Sequence, residues 1–251
     1  MRARRVIPCL DVRGGRVVKG VRFAGLKDAG DPVERARAYD REGADEVCLL
    51  DISATLEGRR PLHDLVGRVA DLLSVPFSVG GGVRDLDEMR SLLLLGADRV
   101  SIGTAALDDP TLIDRAAERF GRQFVIVSID ARRNGDRFEV TSHGGRRPRG
   151  QEPIAWALEA ERRGAGEILL NVIDADGTRA GYEIELTRRL ARAVRVPVVA
   201  SGGAGDAEDI ARVLREGEAD AALAASIFHD GSRTIRGVKE HLRARGIAVR
   251  L

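Results

Sequence analysis

Asp11 and Asp130 each close an apolar run, VIPCLD and FVIVSID, and lie 130 − 11 = 119 residues apart in the related triplets Cys9-Leu10-Asp11 and Ser128-Ile129-Asp130. Two carboxyls facing one cavity can serve as general acid and general base when their surroundings separate their proton affinities. A single aspartate at such a point would as readily cap a loop or pair with an arginine. Repetition at matched places makes the two a candidate catalytic couple.

Glycines repeat with the same period. PFSVGGGVRD at 76–85 is echoed by PVVASGGAGD at 197–206, with Gly82 and Gly203 offset by 203 − 82 = 121 residues. Each segment is followed by a further apolar run and then a hydroxyl, Thr104 or Ser226, offset by 226 − 104 = 122, so Glu218 reads as a one-residue insertion. Bare backbone N–H groups and hydroxyls near helix N-termini suit a phosphate. One glycine pair could merely make a turn. Two such sites imply a long ligand with a phosphate at each end.

Positioning these groups requires strands that end where they stand. Apolar runs at Arg5–Leu10, Glu46–Leu50, Pro76–Val79, Asp98–Ile102, Phe124–Ile129, Glu167–Val172, Pro197–Ala200 and Asp220–Ala224 read as parallel strands buried on both faces. Helical patterns follow at about 32–42, 61–73, 86–95, 110–119, 152–163, 183–193, 207–216 and 233–244. Asp31-Pro32 and Asp109-Pro110 are helix starts, while Gly43, Gly96 and Gly164 are helix stops. Alternating strands and helices predict a (β/α)8 TIM barrel, built as a two-fold repeat of half-barrels at about 1–122 and 123–251 within one domain, 1–251. A doubly wound open sheet is the alternative, but it would leave edge strands that a repeated half closes more naturally. Long segments at Val12–Gly30 and Ala131–Gly150 carry hairpin-like alternation and lie half a chain apart. In a barrel they would cover the C-terminal face, where catalytic groups sit.

The remaining residues narrow the function. With 41 basic and 39 acidic residues the net charge is only +2, and Arg146-Arg147-Pro148-Arg149 is the longest basic cluster, which does not make a nucleic-acid surface. His63, His143, His229 and His241 lack metal-ligand spacing and read as surface residues, and Trp156 reads as packing. Cys9 and Cys48 fall in buried strands without metal or disulfide spacing. Asp51 reads as structural, orienting Lys19, and Asp176 belongs to the loop after the sixth strand. No signal peptide or membrane span is evident, so a cytoplasmic protein with no membrane contact is expected.

Several motifs together resemble one enzyme family. VIPCLDV…GRVVKG at 6–20, DAGDPVE at 28–34, LLDISA at 49–54, SVGGGVRD at 78–85, ILLNVIDADGTRAGY at 168–182, and VVASGGAG with AALAASIFH at 198–229 are similar to the cyclase subunit of imidazole glycerol phosphate synthase. The resemblance runs from about residue 4 to the C-terminus. It implies a lyase of histidine biosynthesis, in which ammonia from a glutaminase subunit attacks a bisphosphorylated ribulosyl aminoimidazole-carboxamide nucleotide (PRFAR). The products are imidazole glycerol phosphate and AICAR, and neither a metal nor an organic cofactor is implied. It makes Asp11 and Asp130 the acid–base pair and puts Lys19 on a mobile first loop. One phosphate would lie by Gly82 and Thr104, the other by Asp176, Gly177, Gly203, Ala225 and Ser226. Arg5, Glu46, Arg99 and Glu167 would form a charged ammonia gate at the N-terminal mouth, where the glutaminase docks in a heterodimer.

Two other readings stay open. The sugar isomerase one step earlier shares the half-barrel repeat, though it lacks the CLDV and DADGT–GY combination. A barrel that only docks and activates a glutaminase would have no use for intact aspartates. The chain departs from the family pattern at three points. Gly103 replaces an Asn and so removes a side-chain donor, Arg99 replaces a Lys, and Arg22 stands in the first loop where Asn is usual.

Overall fold

Strands that are apolar on both faces need a helix layer outside and a packed interior within. The computed structural model, which describes residues 3–21 and 24–251, supplies both. Eight parallel strands, β1 (Arg5–Arg13), β2 (Val47–Asp51), β3 (Phe77–Gly80), β4 (Arg99–Ile102), β5 (Val125–Asn134), β6 (Glu167–Val172), β7 (Val198–Ser201) and β8 (Ala221–Ala224), pair in sequence order. The ring is closed by β8 against β1 and by β5 against β6. It is a (β/α)8 barrel. The helices around it are α1 (Pro32–Arg41), α2 (His63–Ala70), α3 (Leu86–Leu94), α4 (Thr111–Phe120), α5 (Pro153–Arg163), α6 (Ile184–Ala193), α7 (Ala207–Arg215) and α8 (Ile235–Ala244).

Local chemistry fixes many of the element ends. Asp31 accepts from the N–H groups of Val33 and Glu34, with Pro32 opening α1. Asp206 and Asp209 form a reciprocal capping box at α7. Gly43, Gly96 and Gly164 turn the chain out of their helices at φ of 83°, 98° and 112°. At α4 the expectation shifts by one residue. Asp109 closes the short helix Thr104–Asp108 and accepts from Thr111, so Pro110 stands outside the helix instead of opening it. Glu218, the extra residue of the second half, takes a left-handed φ of 57° in the turn before β8 and pairs with Arg192.

Both long segments are hairpins on the C-terminal side. β1 runs on to Arg13 and pairs antiparallel with Arg16–Val21, which pairs with Ala24–Gly30. In the second half β5 runs on to Asn134 and pairs with Arg137–Ser142. Arg22 and Phe23, expected in the first of these loops, lie outside the described residues. Short helices absent from the sequence expectation follow three strands, at Ala54–Glu57, Thr104–Asp108 and Ser226–His229.

Alternation along each strand splits the core in two. Val6, Leu10, Val47, Leu49, Val100 and Ile168 face the helices, while Ile7, Cys9, Cys48, Ile126, Leu169, Val199, Ala221 and Leu223 fill the barrel. Trp156 packs in the helix layer, 3% exposed. The join between the last helix and the first two strands is ionic. Lys239 of α8 meets Asp45 at 2.8 Å, both almost wholly buried, and donates to the Gly43 carbonyl at 2.6 Å. The other carboxylate oxygen of Asp45 accepts from the N–H of Val6 at 2.8 Å. Removing one partner of such a pair strands the other charge, at a cost of ~3–5 kcal/mol. Lys239→Met should therefore lower the unfolding free energy by about 3 kcal/mol in denaturant titration.

Candidate active site

The C-terminal ends of the strands open into a cavity of about 730 Å³. Asp11 and Asp130 reach it from β1 and β5, half a ring apart, and Asp176 reaches it from the loop after β6. Strand alternation puts both aspartates directly above the apolar filling of the barrel. Burial accordingly drives each of them up to about 6, opposed for Asp11 by a hydrogen bond from Cys9 and for Asp130 by one from Asn171. Asp176 rises to about 7, first through burial and then through the negative charges of Asp11 and Asp130. Three carboxyls thus share one low-dielectric space, with proton affinities suited to exchange near neutrality.

Glycine segments border the cavity on opposite sides. After β3, Gly81 and Gly82 adopt φ of 88° and 76°, and a Cβ on Gly81 would lie 2.2 Å from the Asp51 carbonyl. The Gly82 N–H donates to Thr55 at 3.1 Å, and the Thr104 hydroxyl accepts from the His143 N–H at 3.0 Å. After β7, Gly202 and Gly203 adopt φ of 92° and 107°, and a Cβ on Gly203 would lie 2.1 Å from the Gly181 carbonyl. Gly177, Ala225 and Ser226 line that side, and Arg179 donates to the Ser226 carbonyl. Lys19 joins it through a small adjoining pocket shared with Asp11, Asp176, Gly177, Ala225 and Ser226. Gly103 has φ of −121° and ψ of −86°, and a Cβ there would lie 3.4 Å from the Ser128 carbonyl.

At the other mouth Arg5, Glu46, Arg99 and Glu167 touch one another. Arg5 Nη1 meets Glu46 at 2.9 Å, Arg99 Nη1 meets Glu46 at 3.2 Å and Glu167 at 3.0 Å, and Arg5 also pairs with Glu167. Burial raises Glu46 above its usual range, and the charge of Arg99 works against that rise. The cations and anions alternate around the mouth, each glutamate held by both arginines.

Other expectations are corrected. Asp51 does not orient Lys19: its fully buried carboxylate pairs with Arg59 at 2.6 Å and accepts from the N–H of Ala54 at 3.1 Å, so it braces the loop after β2. His229 is no surface residue. It is 4% exposed, bonds the Tyr39 hydroxyl at 2.6 Å, and is pushed down to about 4 by burial and then by Arg35 and Lys19. His63, His143 and His241 are half-buried. Among the described residues no group of His, Cys, Asp or Glu could hold a metal ion, and no helix is long and apolar enough to cross a membrane.

The sequence reading missed Asn171 and Ser201. Asn171 Nδ2 donates to Asp130 at 3.1 Å, and Ser201 Oγ donates to Asn171 Oδ1 at 3.2 Å. The available signal was an alignment of the halves, in which Asn171 falls opposite Leu50 and Ser201 opposite Gly80.

Residues 5–234 match the model of a family described as "Histidine biosynthesis protein". The chain is 54% identical over 250 residues to a Myxococcus xanthus protein named imidazole glycerol phosphate synthase subunit HisF, covering all of this chain and 99% of that one. A Dehalococcoides mccartyi protein of the same name is 53% identical over 248 residues, covering 99% of this chain and 98% of its own.

The raised carboxyls bear on stability. Asp176 binds its proton more tightly folded than unfolded, so its favourable contribution is complete below pH ~4 and is lost as pH rises through about 7. At pH 8 the ionised group carries a cost of order 1 kcal/mol or more, which Asn would remove. Asp176→Asn should melt ~2–4 °C higher than the parent at pH 8, and no higher at pH 4.

Proposed function

Because the chain belongs to the histidine biosynthesis protein family and performs the cyclase function of imidazole glycerol phosphate synthase, we propose that Asp11 and Asp130 are its acid–base pair. The observation that carries this reading is the placement of two buried carboxyls, each of raised proton affinity, between two glycine–hydroxyl segments in one cavity. Ammonia loses protons as it becomes a ring nitrogen, and the departing oxygen and amine gain them. One ionised and one protonated carboxyl on opposite sides can move both sets.

The substrate is the bisphosphorylated ribulosyl aminoimidazole-carboxamide nucleotide, laid across the cavity. One phosphate rests by Gly82 and Thr104. The other rests by Gly177, Gly203, Ala225 and Ser226, and Asp176 borders that end. Thr55 takes up the Gly82 N–H, so binding there exchanges an internal hydrogen bond for one to the anion, whereas the Thr104 hydroxyl accepts from the His143 N–H and keeps its O–H to donate. Lys19 closes over the Ser226 end. This chemistry needs no metal or organic cofactor, and the protein works in the cytoplasm.

A glutaminase subunit docks at the N-terminal mouth, and its ammonia enters between Arg5, Glu46, Arg99 and Glu167. The alternation of charges in that ring supports this role. Each arginine cancels a glutamate, leaving a mouth of no net charge that is suited to a small neutral molecule. Ammonia then passes side chains such as Cys9, Cys48, Ile126 and Leu169 before meeting the carboxylates.

With PRFAR and ammonium salt at alkaline pH, the isolated chain should turn over. Asp11→Asn and Asp130→Asn should each lose at least ~10²-fold in kcat while still binding substrate. Near-parental kcat in either variant would remove that residue from the pair. Arg99→Lys exchanges a bidentate fork for a point charge. It should alter glutamine-driven turnover more than ammonium-driven turnover, because added ammonia can enter from the open C-terminal face. Equal changes in both assays would argue against a gate.

A further inference from the structure

The two halves of the barrel put the same two register positions beside their catalytic aspartates and fill them differently. In the first half Asp11 pairs across the strands with Leu50, and Leu50 with Gly80. In the second half Asp130 pairs with Asn171, and Asn171 with Ser201. The first set offers Asp11 no polar neighbour. Its donor is the thiol of Cys9 on its own strand, with Sγ 3.3 Å from Oδ1. The second set is a chain of hydrogen bonds over three adjacent strands, from Ser201 Oγ to Asn171 Oδ1 at 3.2 Å and from Asn171 Nδ2 to Asp130 Oδ1 at 3.1 Å.

We infer that Asn171 is a positioning residue for Asp130, its amide oriented by Ser201, and that this chain keeps Asp130 ionised and pointed at the substrate while Asp11 has only a thiol to hold it. The inference rests on the reading of Asp130 as catalytic. An amide left to itself could present either end to the carboxylate. With the Ser201 hydroxyl donating to Oδ1, Nδ2 is the end that meets Asp130. A donor aimed at a carboxylate favours its charged form, and Asn171 acts on Asp130 in that direction. Asn171 is 8% exposed and Ser201 half-buried. Their partners are set by strand register and not by a mobile loop. Asp130 is held on its other side too, where its carbonyl accepts from the Thr141 hydroxyl at 3.0 Å, so its backbone and carboxylate are fixed separately. Asp130 shares the cavity with the carboxyls of Asp11 and Asp176 and, farther along its lining, with Arg13, Arg84, His143 and Arg146; what disfavours its ionised form is burial, and the hydrogen bond from Asn171 opposes it.

The test is ammonia-driven turnover at saturating PRFAR, taken as the ratio of variant to parent at each pH from about 6 to 9, so that the titration of ammonia itself cancels. Asn171→Leu, which copies the first half, should lower kcat ~10²-fold near pH 7, with the ratio recovering as pH rises and KM moving less than ~3-fold. Asn171→Asp preserves shape and swaps the donor for a second carboxylate. It should move the profile the same way, and it serves if the leucine variant folds poorly. Ser201→Ala should give a smaller loss of the same sign. Asp130→Asn is the control for the reading beneath: if it keeps parental turnover, Asp130 is not catalytic and the inference falls with it. If Asp130→Asn is inactive while the Asn171 and Ser201 variants show pH-independent ratios, Asp130 is catalytic and Asn171 does not position it.

Discussion

A strand can offer only every second side chain to the inside of a barrel, and this alternation joins the chemistry at one mouth to the charges at the other. Along β1 the inward residues are Arg5, Ile7, Cys9 and Asp11; along β6 they are Glu167, Leu169 and Asn171. A one-residue slip would send each of these into the helix layer and bring Val6 and Leu10 inside. The apolar middle raises the proton affinity of Asp11 and Asp130 above it, and it also denies solvent to the glutamates below. Glu46 and Glu167 tolerate that burial because both arginines touch both of them. The ring and the carboxyl pair are therefore two ends of one stacked arrangement.

Repetition of the half-barrel explains why the cavity has two ends. Each half contributes a strand ending in aspartate, a hairpin extending that strand, and a glycine turn followed by a hydroxyl-bearing short helix. The glycines at 81 and 203 are required by contact as much as by φ, because a Cβ on either would strike a backbone carbonyl, of Asp51 at the end of β2 or of Gly181. Such close backbone approach packs the loops at each end into a rigid rim.

Much of this was legible in the sequence. Strand positions were, because runs of four to six apolar residues bounded by glycine or proline have few other homes, and the repeat supplied the closure. That Asp11, Asp130 and the two glycine–hydroxyl segments would border one cavity followed from spacing. What escaped depended on partners far away in the chain. Asp51 was assigned to Lys19 because nothing local announces that Arg59 would bend back onto it. His229 reads as exposed because it stands just before the polar turn Asp230-Gly231-Ser232, yet Tyr39, 190 residues earlier, holds it in the helix layer. Asn171 sits in the run ILLNVI, where a single polar residue reads as the end of a strand. Only the register shows that its amide meets Asp130.

Symmetry by itself would be a poor design for this chemistry. Two carboxyls in identical surroundings have equal proton affinities and no built-in direction, whereas an acid–base pair must begin with one proton in a definite place. The strand framework is repeated faithfully, so the direction must come from side chains at equivalent points. Cys9 against Ser128, Leu50 against Asn171 and Gly80 against Ser201 are such points, and each difference puts the stronger hydrogen-bonding group in the second half. A further difference, Lys19 beside Asp176 at the Ser226 end, lies outside the barrel strands, in the segments that follow them. The barrel thus combines a shared backbone geometry, which repeats a glycine turn at both ends of the cavity, with a few unshared side chains that give Asp130 an amide donor where Asp11 has a thiol.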